Sequence, residues 1–256
     1  MLQTRVIPAL LLNGSSLVKT KKFRNPIYIG DPINTVRIFN ELEVDELIFL
    51  DINSSISSRT PNFEVLTDIA KECFMPLGYG GGITNFEMVQ RIFSIGFEKV
   101  VLNTITHHNP NFITQIAEHF GNQAVIASID VKKNIWGKYE VWCEGGKRNT
   151  KKDPVEWALE IENLGAGEIL LTSIDREGSW SGFDNELIKR VSNKVSIPVI
   201  AHGGAGNIQH IVSVVKQGNA DAVALGSMVV FQKEGMGVLI NFPDQQALET
   251  ELCELL

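Results

Sequence analysis

Residues 45–51 read DELIFLD and residues 167–173 read GEILLTS, two apolar runs entered through Glu46 and Glu168, which lie 122 positions apart. An apolar run of this length bounded by turn residues reads as a strand buried on both faces, as in parallel sheets. Six similar runs accompany them. In chain order the predicted strands are 5–11, 46–51, 76–79, 99–103, 124–130, 168–172, 197–201 and 221–225. Between them, helical periodicity marks 34–42, 62–73, 85–95, 110–120, 154–164, 185–193 and 208–217, several opened by Asn or Pro. Eight βα units with no Pro/Gly/Ser linker predict an α/β fold, one (β/α)8 TIM barrel over residues 1–256. The spacing between strand centres runs about 41, 29 and 24 residues in the first half and about 43, 29 and 24 in the second. This is a two-fold internal repeat, with half-barrels near 1–122 and 123–256.

Composition narrows the function. The chain has 256 residues, 44% hydrophobic and 21% charged, enough for a large core. Lys plus Arg number 23 against 30 Asp plus Glu, a net charge of −7, the wrong sign for wrapping nucleic acid. No apolar run reaches the roughly 18 residues of a membrane span, and no cleavage pattern follows the start. The three cysteines, Cys73, Cys143 and Cys253, share no close spacing and suit a reducing cytoplasm. His107 and His108 stand adjacent in a predicted loop, and His119 and His210 fall in helices, so no metal ligand set is expected. No flavin or nicotinamide fingerprint appears, so no cofactor is expected.

In such barrels the chemistry sits where strands end, because the loops there converge on one mouth. Gly80-Gly81-Gly82 closes the third strand and Asn103-Thr104 the fourth. Gly203-Gly204-Ala205-Gly206 and Gly226-Ser227 follow the seventh and eighth. Glycines let backbone N–H groups close on an anion that a helix N-terminus also favours. One such turn is equally a structural turn. Two, placed across the mouth by the repeat, predict a ligand with an anion at each end.

The motifs RVIPAL (5–10), DELIFLDI (45–52), PLGYGGGI (76–83), VLNT (101–104), ASIDVK (127–132), GAGEILLTSIDREG (165–178), IPVIAHGGAGN (197–207) and ADAVALGS (220–227) together resemble the cyclase subunit of imidazole glycerol phosphate synthase, along essentially the whole chain. The resemblance implies a ribulose-phosphate-binding barrel partnered by a glutaminase at the strand-start face, conducting ammonia through its core to a bisphosphate substrate at the mouth. It places Lys19, Gly81, Gly82, Asn103, Thr104, Gly203, Gly204, Gly226 and Ser227 at substrate and phosphate positions. Arg5, Glu46, Lys99 and Glu168 fall at the ammonia entrance, although a charged plug sealing the barrel foot is the plain alternative.

The family's acid and base are two aspartates, one on the first strand and one on the fifth. Asp130 occupies the second position. Aligning VIASID (125–130) with VIPALL (6–11) puts Leu11 at the first, and leucine carries no proton. His202, at the end of the seventh strand where the family usually has a small hydroxyl residue, is a candidate substitute through its ordinary pKa of about 6.5; anion binding or space filling is its plainer role. Asp51, Asp175 and Glu177 are further mouth carboxylates. The first loop also departs from the family and is basic through Lys19, Lys21, Lys22 and Arg24, reading either as a solvated flexible loop or as a lid. These departures resemble a branch of the family that delivers ammonia with a glutaminase and a sugar amidotransferase for surface-polysaccharide synthesis. The leading expectation is delivery without cyclisation; the alternative is an active cyclase and lyase of histidine biosynthesis. A phosphosugar isomerase of the related barrel type would need both acid–base positions, so Leu11 counts against it.

Overall fold

Apolar side chains at alternate positions of the strands can face a barrel interior while their neighbours face the surrounding helices. A computed structural model, describing residues 4–53 and 60–253, has this arrangement. Eight parallel strands carry it: β1 (Arg5–Asn13), β4 (Leu47–Asp51), β5 (Leu77–Gly80), β6 (Lys99–Leu102), β7 (Val125–Lys133), β10 (Glu168–Ser173), β11 (Val199–His202) and β12 (Ala222–Leu225). Each pairs with the next, β7 pairs β10, and β12 pairs β1, which closes the barrel.

The first and fifth barrel strands overrun the expected ends at Leu11 and Asp130 and turn back as antiparallel hairpins. β1 continues into β2 (Ser16–Lys21) and β3 (Arg24–Gly30), and β7 into β8 (Tyr139–Cys143) and β9 (Arg148–Asn149). The basic first loop is therefore ordered sheet, not a solvated flexible loop. The hairpins also display the repeat. Leu11 pairs with Val18 of its hairpin and Leu50 of the next barrel strand, while Asp130 pairs with Trp142 and Thr172. Leu11 and Asp130 are structural equivalents.

The helices follow the predicted segments: α1 (Pro32–Glu41), α2 (Phe63–Glu72), α3 (Phe86–Ile95), α5 (Asn111–Phe120), α6 (Pro154–Asn163), α7 (Asn185–Ser192) and α8 (Ile208–Gly218). Side-chain oxygens of Asp31, Asn62, Asn85, Asp153, Asp184 and Asn207 accept from first-turn N–H groups, which explains why these helices start where Asn or Asp precedes them. Three further helices are α4 (Thr104–His108), α9 (Ser227–Val230) and α10 (Gln245–Cys253). His107 and His108 thus lie in a short helix and not in a loop. No helix among the described residues is long and apolar enough to cross a membrane.

The outer core fills the space between strands and helices. A separate inner cluster of Ile7, Ala9, Ile48, Val101, Ile126, Leu170, Ile200, Ala222 and Ala224 fills the bore. It divides the barrel axis into a charged foot, an apolar middle and a polar mouth.

Candidate active site at the barrel mouth

Period-two alternation carries the inward face of β10 from Glu168 at the foot through Leu170 to Thr172 at the mouth. On β7 the same alternation leads from Ile126 through Ser128 to Asp130. Asp130 is 7% exposed and Thr172 2%. Asn103 Nδ2 donates to Asp130 Oδ2 at 2.8 Å, and Ser128 Oγ lies 3.5 Å from Oδ1. Burial pushes the Asp130 carboxyl up to about 7, against the opposing hydrogen bonds of Thr172, Ser128 and Asn103, with Glu177 adding repulsion. Near neutral pH this carboxyl is therefore shared between its acid and base forms, as proton transfer in either direction needs.

His202 reaches the same cluster from β11. Its Nδ1 lies 3.1 Å from Thr172 Oγ1, so Thr172 links the imidazole to Asp130. Burial, and then Lys19 close by, push His202 down to about 4, so the ring is neutral at neutral pH. Leu11 lines the same cavity as Asp130 and brings no ionisable group to it. Thr172 and Ser128, which sequence reasoning passed over, were detectable as the inward positions of strands already predicted.

A cavity of about 620 Å³ opens at this mouth. Leu11, Leu50, Val101, Asp130, Thr172 and His202 form part of its wall, and the first cradle of Gly81, Gly82, Asn103 and Thr104 opens into it. Gly81 has φ of +118°, and a Cβ there would lie 2.8 Å from Asp51 Cβ, so only glycine fits this turn. Asp51 caps its own turn by accepting from Asn53 N at 3.0 Å, and Asp175 accepts from Lys133 N at 2.9 Å.

The first hairpin lies across the mouth. Lys19, expected in a mobile loop, is in β2 and 5% exposed, paired with Glu177. Glu177 also accepts from Thr20 Oγ1 at 3.1 Å and Phe23 N at 3.0 Å, and its carbonyl accepts from Lys22 N at 3.0 Å. Glu177 therefore latches the hairpin to the loop after β10. A Cβ on Gly178, φ +70°, would meet Thr20 O at 2.7 Å, so the next residue must be small for the hairpin to seat. The second cradle, Gly203, Gly204, Gly226 and Ser227, lies beneath this latch with Lys19, Glu177 and His202.

At the opposite face the four foot residues meet. Arg5 Nη1 lies 2.8 Å from Glu46 Oε2 and its Nη2 3.0 Å from Glu168 Oε1. Lys99 Nζ lies 2.9 Å from Glu46 Oε1 and 3.3 Å from Glu168 Oε1. Each cation bridges both carboxylates, closing a ring. Glu46 Oε1, close to Lys99 but off its hydrogen-bond direction, and Glu168 Oε2 are buried acceptors without a hydrogen-bond donor among the described residues.

A half-repeated (β/α)8 barrel with a glycine-rich turn at the mouth in each half and a buried carboxyl in the mouth cavity belongs to the class of barrels whose chemistry lies at the strand ends. Residues 5–234 match the family described as histidine biosynthesis protein, and the chain belongs to that family. It is 49% identical over 249 residues to a Pseudomonas aeruginosa protein named "Putative imidazole glycerol phosphate synthase subunit hisF2", covering 97% of this chain and 99% of that protein. A Vibrio vulnificus protein with the same name but for the label hisF3 is 42% identical over 244 residues, 95% of this chain and 94% of that one. The "Imidazole glycerol phosphate synthase subunit HisF" of Chlorobaculum parvum is 44% identical over 232 residues, 91% and 92% of the two chains.

Proposed function

We propose that this chain is a cyclase-like subunit of the imidazole glycerol phosphate synthase type that docks a glutaminase at its strand-start face and conducts ammonia to its mouth. The acceptor we assign is a surface-polysaccharide sugar undergoing amidination with a sugar amidotransferase, in place of ring closure in histidine synthesis. The observation that carries this reading is the contrast between the two ends of the bore. All four foot groups are present and mutually paired, whereas Leu11 leaves Asp130 without its counterpart.

The physical path follows from the layers. Ammonia reaching the foot meets Glu168 Oε2, a buried acceptor without a hydrogen-bond donor among the described residues, which can accept one of its N–H groups. Ammonium would lose its hydration in the apolar layer above at prohibitive cost, so neutral ammonia is the species carried. Ile7, Ile48, Ile126, Leu170 and Ile200 are fully buried and packed together, so passage requires the ring to part and these side chains to rotate aside.

A second reading is an active cyclase and lyase. It is favoured by Asp130, held near neutral pKa, and by its link through Thr172 to His202. Supplying the bisphosphate substrate with ammonium salt separates the two. The delivery reading expects no turnover, and turnover abolished by Asp130→Asn would overturn it. Arg5→Ala and Lys99→Ala then distinguish conduction from a docked scaffold. Conduction expects glutamine hydrolysis to be uncoupled from nitrogen transfer; transfer unchanged in both variants would sink it.

A further inference from the structure

The two cradles are unequally open. The first opens into the mouth cavity and includes Asn103 Oδ1, a buried acceptor without a hydrogen-bond partner among the described residues. The second is occupied by the protein itself. About 10 Å³ of free space remains there, the lower limit for one water molecule and far too little for a phosphate group. A Cβ built on Gly226 would stand 2.9 Å from Lys19 Cε, 3.5 Å from Lys19 Nζ and 3.8 Å from His202 Nε2. The amine end of Lys19 therefore lies against the glycine backbone that would receive an anion. Its charge is met by Glu177, which is 2% exposed and also holds Thr20 and Phe23. A phosphate entering here would face a buried carboxylate, and displacing it would strand that carboxylate without its cation.

Beside Asp51, Asn53, His108 and Lys147, the cavity wall has a substantial apolar part that includes Leu11, the equivalent of Asp130. Leu11, Leu50, Phe23, Pro26, Ile83 and Met88 line it. We infer that the mouth takes a ligand with a single phosphate, seated at Gly81, Gly82, Asn103 and Thr104, whose uncharged body lies along Leu11 and Leu50 and reaches Asp130. This rests on the reading that the mouth holds a phosphorylated small molecule, and changes the ligand class from bisphosphate to monophosphate. The Glu177 carboxylate is the anion that the second cradle's cation already has.

The test is equilibrium binding of ribose 5-phosphate and ribulose 1,5-bisphosphate to the full chain and to three variants. The two probes are expected to bind within about threefold of each other, both to be lost in Thr104→Asp, and neither to change in Ser227→Asp. Glu177→Gln, which frees Lys19 while keeping the side chain's shape, is expected to favour the bisphosphate by tenfold or more, with its fold checked by circular dichroism. Tenfold tighter bisphosphate binding to the unaltered chain, abolished by Ser227→Asp, would overturn the single-phosphate inference and leave the phosphate reading standing. Binding of neither probe would overturn both. If Glu177→Gln proves unfolded, the Ser227→Asp comparison alone decides.

Discussion

Asp130 and His202, joined through Thr172, have pKa values moved in opposite directions by the same burial, and this sets their pH behaviour. For Asp130 the folded value, about 7, lies above the ordinary value of 3.8, so its contribution is fully present below about pH 4 and is lost as pH rises to about 7. For His202 the folded value, about 4, lies below 6.5, so its contribution is present above pH 6.5 and is lost as pH falls to about 4. The windows overlap with opposite sign. Denaturant melts at pH 4.5 and pH 7 should therefore show His202→Gln gaining relative stability at the acid end and Asp130→Asn gaining it at neutral pH. The difference should be on the order of 2–4 kcal/mol for each, at about 1.4 kcal/mol per pKa unit. His107, also pushed to about 4 by burial, acts in the same sense as His202 in all variants. Leu11 supplies the second prediction at this scale. Leu11→Asp puts a carboxylate at the position equivalent to Asp130, and ammonium-dependent cyclisation, which the delivery reading expects to be absent from the unaltered chain, should become measurable, since a general acid or base is worth about 10²-fold or more. Continued absence of turnover would show that the missing carboxylate is not what limits ring closure.

Among the elements, the β2–β3 hairpin depends most on tertiary support. Its turn puts Lys22 and Phe23 at φ of 54° and 60°, a left-handed conformation that favours Asn and Gly, and neither residue is of that type. The N–H groups of both bond to Glu177, which offsets the strain. Removing the carboxylate in Glu177→Ala leaves Lys19 buried without its partner and should cost about 3–5 kcal/mol. Hydrogen exchange at the Lys22 and Phe23 amides should accelerate well beyond exchange in the barrel strands. Uniform acceleration across the molecule would instead indicate global loss of fold. This element was not legible as a hairpin because its turn residues carry no turn signal, although Leu17-Val18 and Ile27-Tyr28-Ile29 are β-favouring. The helix starts, by contrast, were written locally in Asn and Asp caps, and most fell within two residues of their expected positions.

For the molecule as a whole, the packed bore tests both stability and the proposed conduction. Leu170 is fully buried within the inner cluster, and Leu170→Ala should cost about 2–5 kcal/mol by leaving a cavity. Chemical denaturation measures this directly. If the bore carries ammonia, the same change should not reduce nitrogen transfer from glutamine, since it widens the path; a fall in transfer with the fold intact would argue that the packed layer guides the molecule.

The sequence by itself determined the eight strands, their two-fold spacing, the caps and the equivalence of Leu11 with Asp130, because each is a matter of period or spacing along the chain; the four foot residues came from the family resemblance. The tertiary structure decided which charges meet at the mouth. Lys19 and Glu177 are 158 residues apart, and nothing local to either names the other. Only closure of the barrel, with a hairpin folded across its mouth, brings them together, fills one cradle and leaves the other open.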